Sequence, residues 1–138
     1  MIYAIIYRMS VRKLGIITTE YGAFPEAHEI ATAKIFIKNG FDVRFITPRR
    51  VKNMKTPDVE INGILWEIKS PTSTGKQTLQ RLLKKAAKQS DNIIIDDRRT
   101  NSDDAYYFKE LKRLSSLSHS IRRLKLITKS GKIIDIKK

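Results

Sequence analysis

The chain contains no cysteine, which excludes disulfides, thiolate zinc sites and cysteine nucleophiles. That absence also suits a reducing, cytosolic workplace. No apolar run is long enough to span a bilayer. The longest candidate, residues 1–7 (MIYAIIY), falls far short of the roughly 20 residues a spanning helix needs. It lacks the basic leader of a signal peptide too, and reads as an extra N-terminal strand. No repeat or low-complexity tract is visible. Acidic residues are scarce, 14 against 28 lysines and arginines, for a formal net charge of +14. Self-repulsion on that scale opposes compaction, so a polyanionic partner, nucleic acid, is its natural counterpart; the competing reading is a generically basic surface. With 138 residues and 41% apolar content, residues 1–138 have the size of one domain that buries roughly two-thirds of its unfolded surface.

Periodicity and turn signals outline the elements. A short strand is possible at 15–19. Pro25 fits the first turn of a helix, whose apolar positions are Ile30, Ala33 and Ile37 and whose stop is Asn39-Gly40. In residues 41–46 Phe41, Val43 and Phe45 alternate with polar residues, as a strand requires. A basic connection follows, with Arg49, Arg50, Lys52 and Lys55. Residues 58–61 and 64–70 flank Asn62-Gly63, the strongest two-residue hairpin signal in the chain. A second helix runs over 76–88, its apolar stripe Leu79, Leu82, Leu83 and Ala86 opposite a basic one. Residues 92–96, with three consecutive isoleucines, read as a buried central strand. Asp103 and Asp104 open a third helix that reaches about residue 117. Residues 124–128 and 132–136, around Ser130-Gly131, form a closing hairpin. The outcome is an α/β domain with a mixed sheet.

The hairpin forces a particular arrangement of charge. A two-residue turn pairs Ile61 with Ile64, Glu60 with Leu65, Val59 with Trp66 and Asp58 with Glu67, and opposed residues share a face. One face is then apolar: Val59, Ile61, Ile64, Trp66 and Ile68. The other carries Asp58, Glu60, Leu65, Glu67 and Lys69. Two carboxylates set against each other repel unless something positive lies between them. A divalent cation, Mg2+ or Mn2+, answers that need, and Mg2+ commonly keeps one or two protein carboxylates beside water and phosphate oxygens. Such a set matches phosphodiester hydrolysis, with Asp58 and Glu67 holding the metal and Lys69 orienting the attacking water or offsetting negative charge. The bland alternative is a solvated polar face in which Lys69 simply neutralises Glu67.

A further carboxylate is expected from the first helix. Glu29 falls between Ala33 and Phe36 at the edge of the apolar stripe, where a charge is costly unless it binds something. It is preferred as a third metal or water ligand. Glu26 is the second choice, because the helix dipole already accounts for a first-turn glutamate. His28 is placed away from both, and His119 lies in a polar loop without signal. On the second helix Lys76, Arg81, Lys84, Lys85 and Lys88, with Gln77 beside Arg81 and Gln89 beyond, form a phosphate track; a solvated face is the competing reading. Asp96 with Asp97-Arg98-Arg99 either approaches the site, with Arg98 on nucleic acid, or makes a salt-bridged turn.

The order of helix with Glu29, strand, Pro57-Asp58, Glu67-Ile68-Lys69, helix and strand over about residues 25–97 resembles the PD-(D/E)XK nuclease superfamily. Its restriction-endonuclease-like core is αβββαβ, to which this chain adds the N-terminal strand and the C-terminal helix plus hairpin. The stretch Gly63-Ile64-Leu65-Trp66-Glu67-Ile68-Lys69-Ser70-Pro71, with Lys88-Gln89-Ser90 and residues 92–96, is similar to toxin nuclease domains. These are the CdiA-type C-terminal tRNase domains of contact-dependent growth inhibition and related polymorphic toxins. The resemblance implies a metal-dependent endonuclease that cleaves tRNA in the cytoplasm of a target cell, neutralised by a small acidic immunity protein, with no membrane partner. This chain departs from the family in starting at a methionine with no delivery region. A detached toxin module, the cargo of another secretion route and a housekeeping nuclease are the readings of that departure. The alternatives in activity are a metal-independent ribonuclease of the barnase, colicin or RelE type, a DNA resolvase or repair nuclease, and a non-catalytic nucleic-acid-binding module.

Overall fold

The computed structural model describes residues 13–49, 51–73 and 75–138, the side chain of Lys76 excepted. The N-terminal strand expected over residues 1–7 and the basic Arg50 lie outside the described residues. The elements follow in the order β1 (Ile17–Thr19), α1 (Ala27–Lys38), β2 (Val43–Phe45), β3 (Val59–Ile61), β4 (Ile64–Lys69), α2 (Lys76–Ala87), β5 (Asn92–Asp96), α3 (Asp104–Ser116), β6 (Arg123–Ile127) and β7 (Ile133–Lys137). A short 3-10 turn, Asp97–Arg99, leaves β5. The strands form one mixed sheet in the order of the chain itself. β2, β3, β4 are antiparallel neighbours, β4, β5, β6 run parallel, and hairpins or crossovers complete both edges. The expected αβββαβ core is α1 through β5.

Alternation along the strands decides which helix covers which face. Val43, Phe45, Val59, Ile61, Trp66, Ile68 and Ile94 pack with Ala33, Ile35 and Phe36 of α1. The intervening Ile93 and Ile95, with Leu124 and Leu126, pack with Leu79, Leu83 and Ala86 of α2 and Tyr107 and Leu111 of α3. Helices on both faces explain the unbroken isoleucines of β5, which have no solvent side.

Local chemistry sets the boundaries. The α1 helix begins later than Pro25 suggests: Glu26 is its N-cap, with ψ at 160°, and Pro25 lies just outside, its fixed φ directing the approach. It ends where Gly40 turns to a φ of 84° and donates its N–H to the carbonyl of Ile37 at 3.0 Å. The strand expected over 41–46 is trimmed to Val43–Phe45, since Phe41 instead packs edge-on against Phe36, ring centres 6.1 Å apart. Gly15 crosses the end of α1 so closely that a Cβ there would lie 1.9 Å from the carbonyl oxygen of Phe41. Gly15→Ala must therefore push backbone aside, and an unfolding titration should show a loss of at least about 2 kcal/mol; an unchanged midpoint would refute the close approach.

Candidate active site

Asn62 and Gly63 take φ values of 51° and 76°, the paired left-handed conformation of a tight hairpin turn. The turn sets the register Ile61 to Ile64, Glu60 to Leu65 and Val59 to Trp66. There the ladder stops, one pair short of the expected opposition of Asp58 and Glu67. The Asp58 N–H donates to the carbonyl of Trp66 at 3.0 Å, and its Oδ2 accepts the N–H of Ile68 at 2.9 Å. The Asp58 side chain thus takes over the ladder's next hydrogen bond. The two carboxyl groups still meet, but side chain to side chain, with a direct Asp58–Glu67 interaction.

Glu29 reaches the same corner from α1, where it interacts with Asp58 and its charge is felt by Glu67. Its Oε1 accepts the N–H of Glu26 at 2.8 Å, so one oxygen closes the helix while the carboxyl faces the sheet. Lys69, half-buried, holds its ammonium 3.3 Å from Glu67 Oε2. Three carboxyl groups and one lysine, from α1, from β4 and from the residue that precedes β3, share one site.

Desolvation and crowding act together there. Burial, and then the negative charge of Glu67, push the Asp58 carboxyl up to about 7, against the pull of the Ile68 N–H. Burial also raises Glu67, opposed by its hydrogen bond with Asp58 and by Lys69. Glu29 is raised by burial, opposed by the Glu26 N–H, and raised again by the Asp58 charge. Each of the three shifts favours a positive charge, a proton or a cation, among these carboxyl groups. Glu67 Oε1 adds a second sign: it is buried and has no hydrogen-bond partner among the described residues. A buried, unsatisfied carboxylate oxygen costs on the order of 1–3 kcal/mol, which a coordinated divalent ion would offset. This donor set, oxygen-only and crowded, fits a hard cation such as Mg2+ or Mn2+.

An all-oxygen corner of this kind, on an α-helix and a β-hairpin, invites comparison with known proteins. Residues 55–133, more than half of the chain, match the family described as the contact-dependent growth inhibition CdiA C-terminal domain. The chain belongs to that family. Among solved structures, the CdiA-CT/CdiI toxin and immunity complex from Burkholderia pseudomallei has the same fold, with a TM-score of 0.65 at 19% identity over 90% of this chain and 100% of that one. No curated protein matches the sequence. The matched region of this CdiA C-terminal domain includes Asp58, Glu67 and Lys69 but begins after Glu29.

The other residues singled out from the sequence are distributed as follows. In α2 of the CdiA domain, Arg81, Lys84, Lys85 and Lys88 are exposed and Gln77 is exposed beside them, while Leu79, Leu83 and Ala86 are buried; the side chain of Lys76 lies outside the described residues. Gln89 is half-buried and its Oε1 accepts the hydroxyl of Thr56. Arg98 adopts the salt-bridged turn: its Nε and Nη2 donate to Asp96 at 2.9 and 2.7 Å, and Nη2 also reaches the carbonyl of Ala31 at 3.0 Å. Its guanidinium is engaged with protein partners, which corrects the expectation of an arginine open to phosphate. His119 is exposed. His28 is also a correction. Its Nδ1 is 3.3 Å from Glu26 Oε2, and ligand atoms of Glu26, His28 and Glu29 lie within 4.8 Å of one another. A helical wheel separates them, but Glu26 is the cap, off the wheel, and its side chain folds back across the first turn.

Sequence reasoning left Asp96 undecided, and its contacts decide it. Asp96 is buried at 3% exposure and accepts the Thr32 hydroxyl at 2.7 Å, the Arg98 N–H and the Arg98 guanidinium. This clasp ties β5 to α1 one turn beyond Glu29, and so holds that carboxylate against the sheet. Burial by itself raises the Asp96 carboxyl, but the bonds from Arg98 and Thr32 outweigh it and the net shift is downward.

Proposed function

We propose that this domain is a metal-dependent endonuclease of the PD-(D/E)XK kind that cleaves RNA, transfer RNA in the first instance. The observation that carries the reading is the convergence of Glu29, Asp58 and Glu67 with Lys69, where Glu67 keeps a buried oxygen without a partner among the described residues. Asp58 and Glu67 would hold Mg2+ or Mn2+, and Glu29 would complete the set. The bound ion supplies Lewis acidity at the scissile phosphate and a water of lowered pKa.

The remaining work falls to the protein's own groups. Lys69, fixed by Glu67, places a positive charge where the phosphorane charge develops and can orient the attacking water. The Ile68 N–H fixes the Asp58 carboxylate and prevents it from rotating away. The exposed cations of α2 take the RNA backbone and release counterions as they do so, which makes binding steeply salt-dependent. We infer delivery into a target cell from the family's role in contact-dependent growth inhibition. An immunity protein is the matching partner, since the fold neighbour was solved as a toxin and immunity complex; against a charge of +14 it should be acidic.

The decisive experiment incubates the purified domain with total tRNA, plasmid and branched DNA, with Mg2+, with Mn2+ and with EDTA. tRNA fragments that appear with either cation and vanish with EDTA are the expected result. Unchanged cleavage in EDTA would end the metal mechanism and favour a barnase-like ribonuclease, and selective cutting of branched DNA would favour a resolvase.

A further inference from the structure

The loop from β1 to α1 carries two aromatic rings turned into solvent. Tyr21 is 102% and Phe24 89% exposed, at full cost in unburied apolar surface. The other exposed apolar side chains among the described residues are chiefly aliphatic and scattered, which calls for no explanation. Here the backbone between the rings is pinned. Ala23 is buried and its N–H donates to the carbonyl of Glu20 at 3.0 Å. The Thr47 hydroxyl donates to the carbonyl of Tyr21 at 2.6 Å, and the Thr47 N–H to Glu20 Oε1 at 3.1 Å. Gly22 has a φ of 89°, and a Cβ there would meet the Thr47 methyl at 3.2 Å. The loop is built to hold its rings outward.

Its position is equally specific. Ile46, the neighbour of Thr47, donates its N–H to the carbonyl of Asp58 at 3.0 Å. Phe24 precedes by two residues the glutamate whose N–H holds Glu29. The Tyr21 carbonyl is thus bonded to the residue next to a backbone partner of Asp58, and Phe24 leads into the helix that carries Glu29. Beyond Thr47 an open depression carries Arg44, Arg49 and Lys55 along with Glu20 and Glu60. Arg44 is paired with both glutamates and Lys55 with Asp91, so among the described residues Arg49 is the cation this loop offers to a backbone phosphate.

We propose that Tyr21 and Phe24 form a stacking platform for unpaired bases of the RNA that enters the site, a proposal that rests on the nuclease reading above. Aromatic rings accept the face of any base, and cations beside them accept the backbone, which is the pattern of single-strand recognition. A duplex hides its base faces inside the helix and cannot use the platform. The domain consequently selects loops and unpaired ends, and the selection comes from this loop rather than from the carboxylates.

The test measures binding of fluorescein-labelled oligoadenylate, oligouridylate and their annealed duplex by anisotropy, in EDTA and in an Asp58→Asn background so that nothing is cut. Tyr21→Ala and Phe24→Ala should each weaken single-strand binding roughly tenfold, with a greater loss for oligoadenylate because adenine stacks better. Duplex binding and the melting temperature should stay put, and Tyr21→Trp and Phe24→Trp should retain the affinity. Unchanged single-strand binding overturns the proposal, and so does an equal loss on duplex and single strand. Unchanged RNA binding with lost neutralisation by a cognate immunity protein overturns it as well and assigns the rings to a protein contact. If the platform behaves as expected but Asp58→Asn leaves cleavage intact, the stacking role stands and the catalytic reading alone fails.

Discussion

Asp58→Asn should lower RNA cleavage by two to four orders of magnitude and yet leave the metal-free domain more stable than the parent. On the mechanism proposed above, the first effect follows from the loss of a charged metal ligand and of the carboxylate beside Glu67, with a size typical of removing one essential polar catalytic group. The second follows from the sign of the Asp58 shift. Its carboxyl rises to about 7 in the folded state, well above its ordinary value, so between about pH 4 and 7 the folded state binds more protons than the unfolded one. The stabilisation carried by that proton is fully present below about pH 4 and is lost as pH climbs through 7. Asparagine cannot ionise and escapes the loss. Its advantage in chemical denaturation should accordingly grow between about pH 4 and 7 and level off at roughly 4 kcal/mol by pH 8, about 3 pKa units at about 1.4 kcal/mol each. Saturating Mg2+ or Mn2+ should invert the order, raising the melting temperature of the parent but not of the variant. A variant that cuts at the parental rate, or that is less stable in EDTA at pH 8, contradicts the assignment of Asp58.

The second large effect belongs to Asp96. Asp96→Ala strands the Arg98 guanidinium and the Thr32 hydroxyl in a site where the arginine side chain is only 28% exposed. Removal of one partner of a buried ion pair typically costs several kcal/mol, and roughly 3 kcal/mol is expected here. Since the Asp96 carboxyl is held below its ordinary value, its contribution is present above about pH 4 and fades as pH falls further. The difference between parent and variant should shrink in acid. The same change frees the first turns of α1 from β5, so any residual cleavage should require more Mg2+, which a metal titration will detect. Asp96→Asn keeps acceptors for Thr32 and Arg98 and should fall between the two. Equal melting curves for parent and Asp96→Ala would dismiss the clasp.

What the sequence made legible follows from how local each signal is. Asn62-Gly63 declares a hairpin without help from the rest of the chain, and the alternation around it separates the apolar Val59, Trp66 and Ile68 from Glu67 and Lys69. Residues 92–96 could hardly be anything but a buried strand, and the Asp103 side chain caps the Ala105 N–H as a helix-opening aspartate should. The misjudged features were decided by partners distant in sequence or by side-chain choices that pattern cannot encode. Asp58 and Glu67 needed only turn geometry to be brought near, but the Asp58 oxygen that captures the Ile68 N–H ends the ladder early. Asp96 and Thr32 are 64 positions apart, and no periodicity links them. Tyr21 and Phe24 lie in a stretch with neither alternation nor helical spacing, so only their exposure marks them.

One property of the sheet bears on how the domain comes into being. Among the described residues, seven strands stand side by side in the order in which they occur in the chain. Each new strand adds to an edge left by its predecessor, and none must be threaded between two already paired. Two of the connections, β3 to β4 and β6 to β7, are tight turns, and the longer ones still join neighbours along the chain, which keeps the entropic barrier moderate. A chain that emerges from one end first can therefore assemble progressively, without waiting for its last residue and without undoing earlier pairings. A sheet with strands drawn from alternating parts of the chain would have to hold half-finished, adhesive edges open until the remainder arrived.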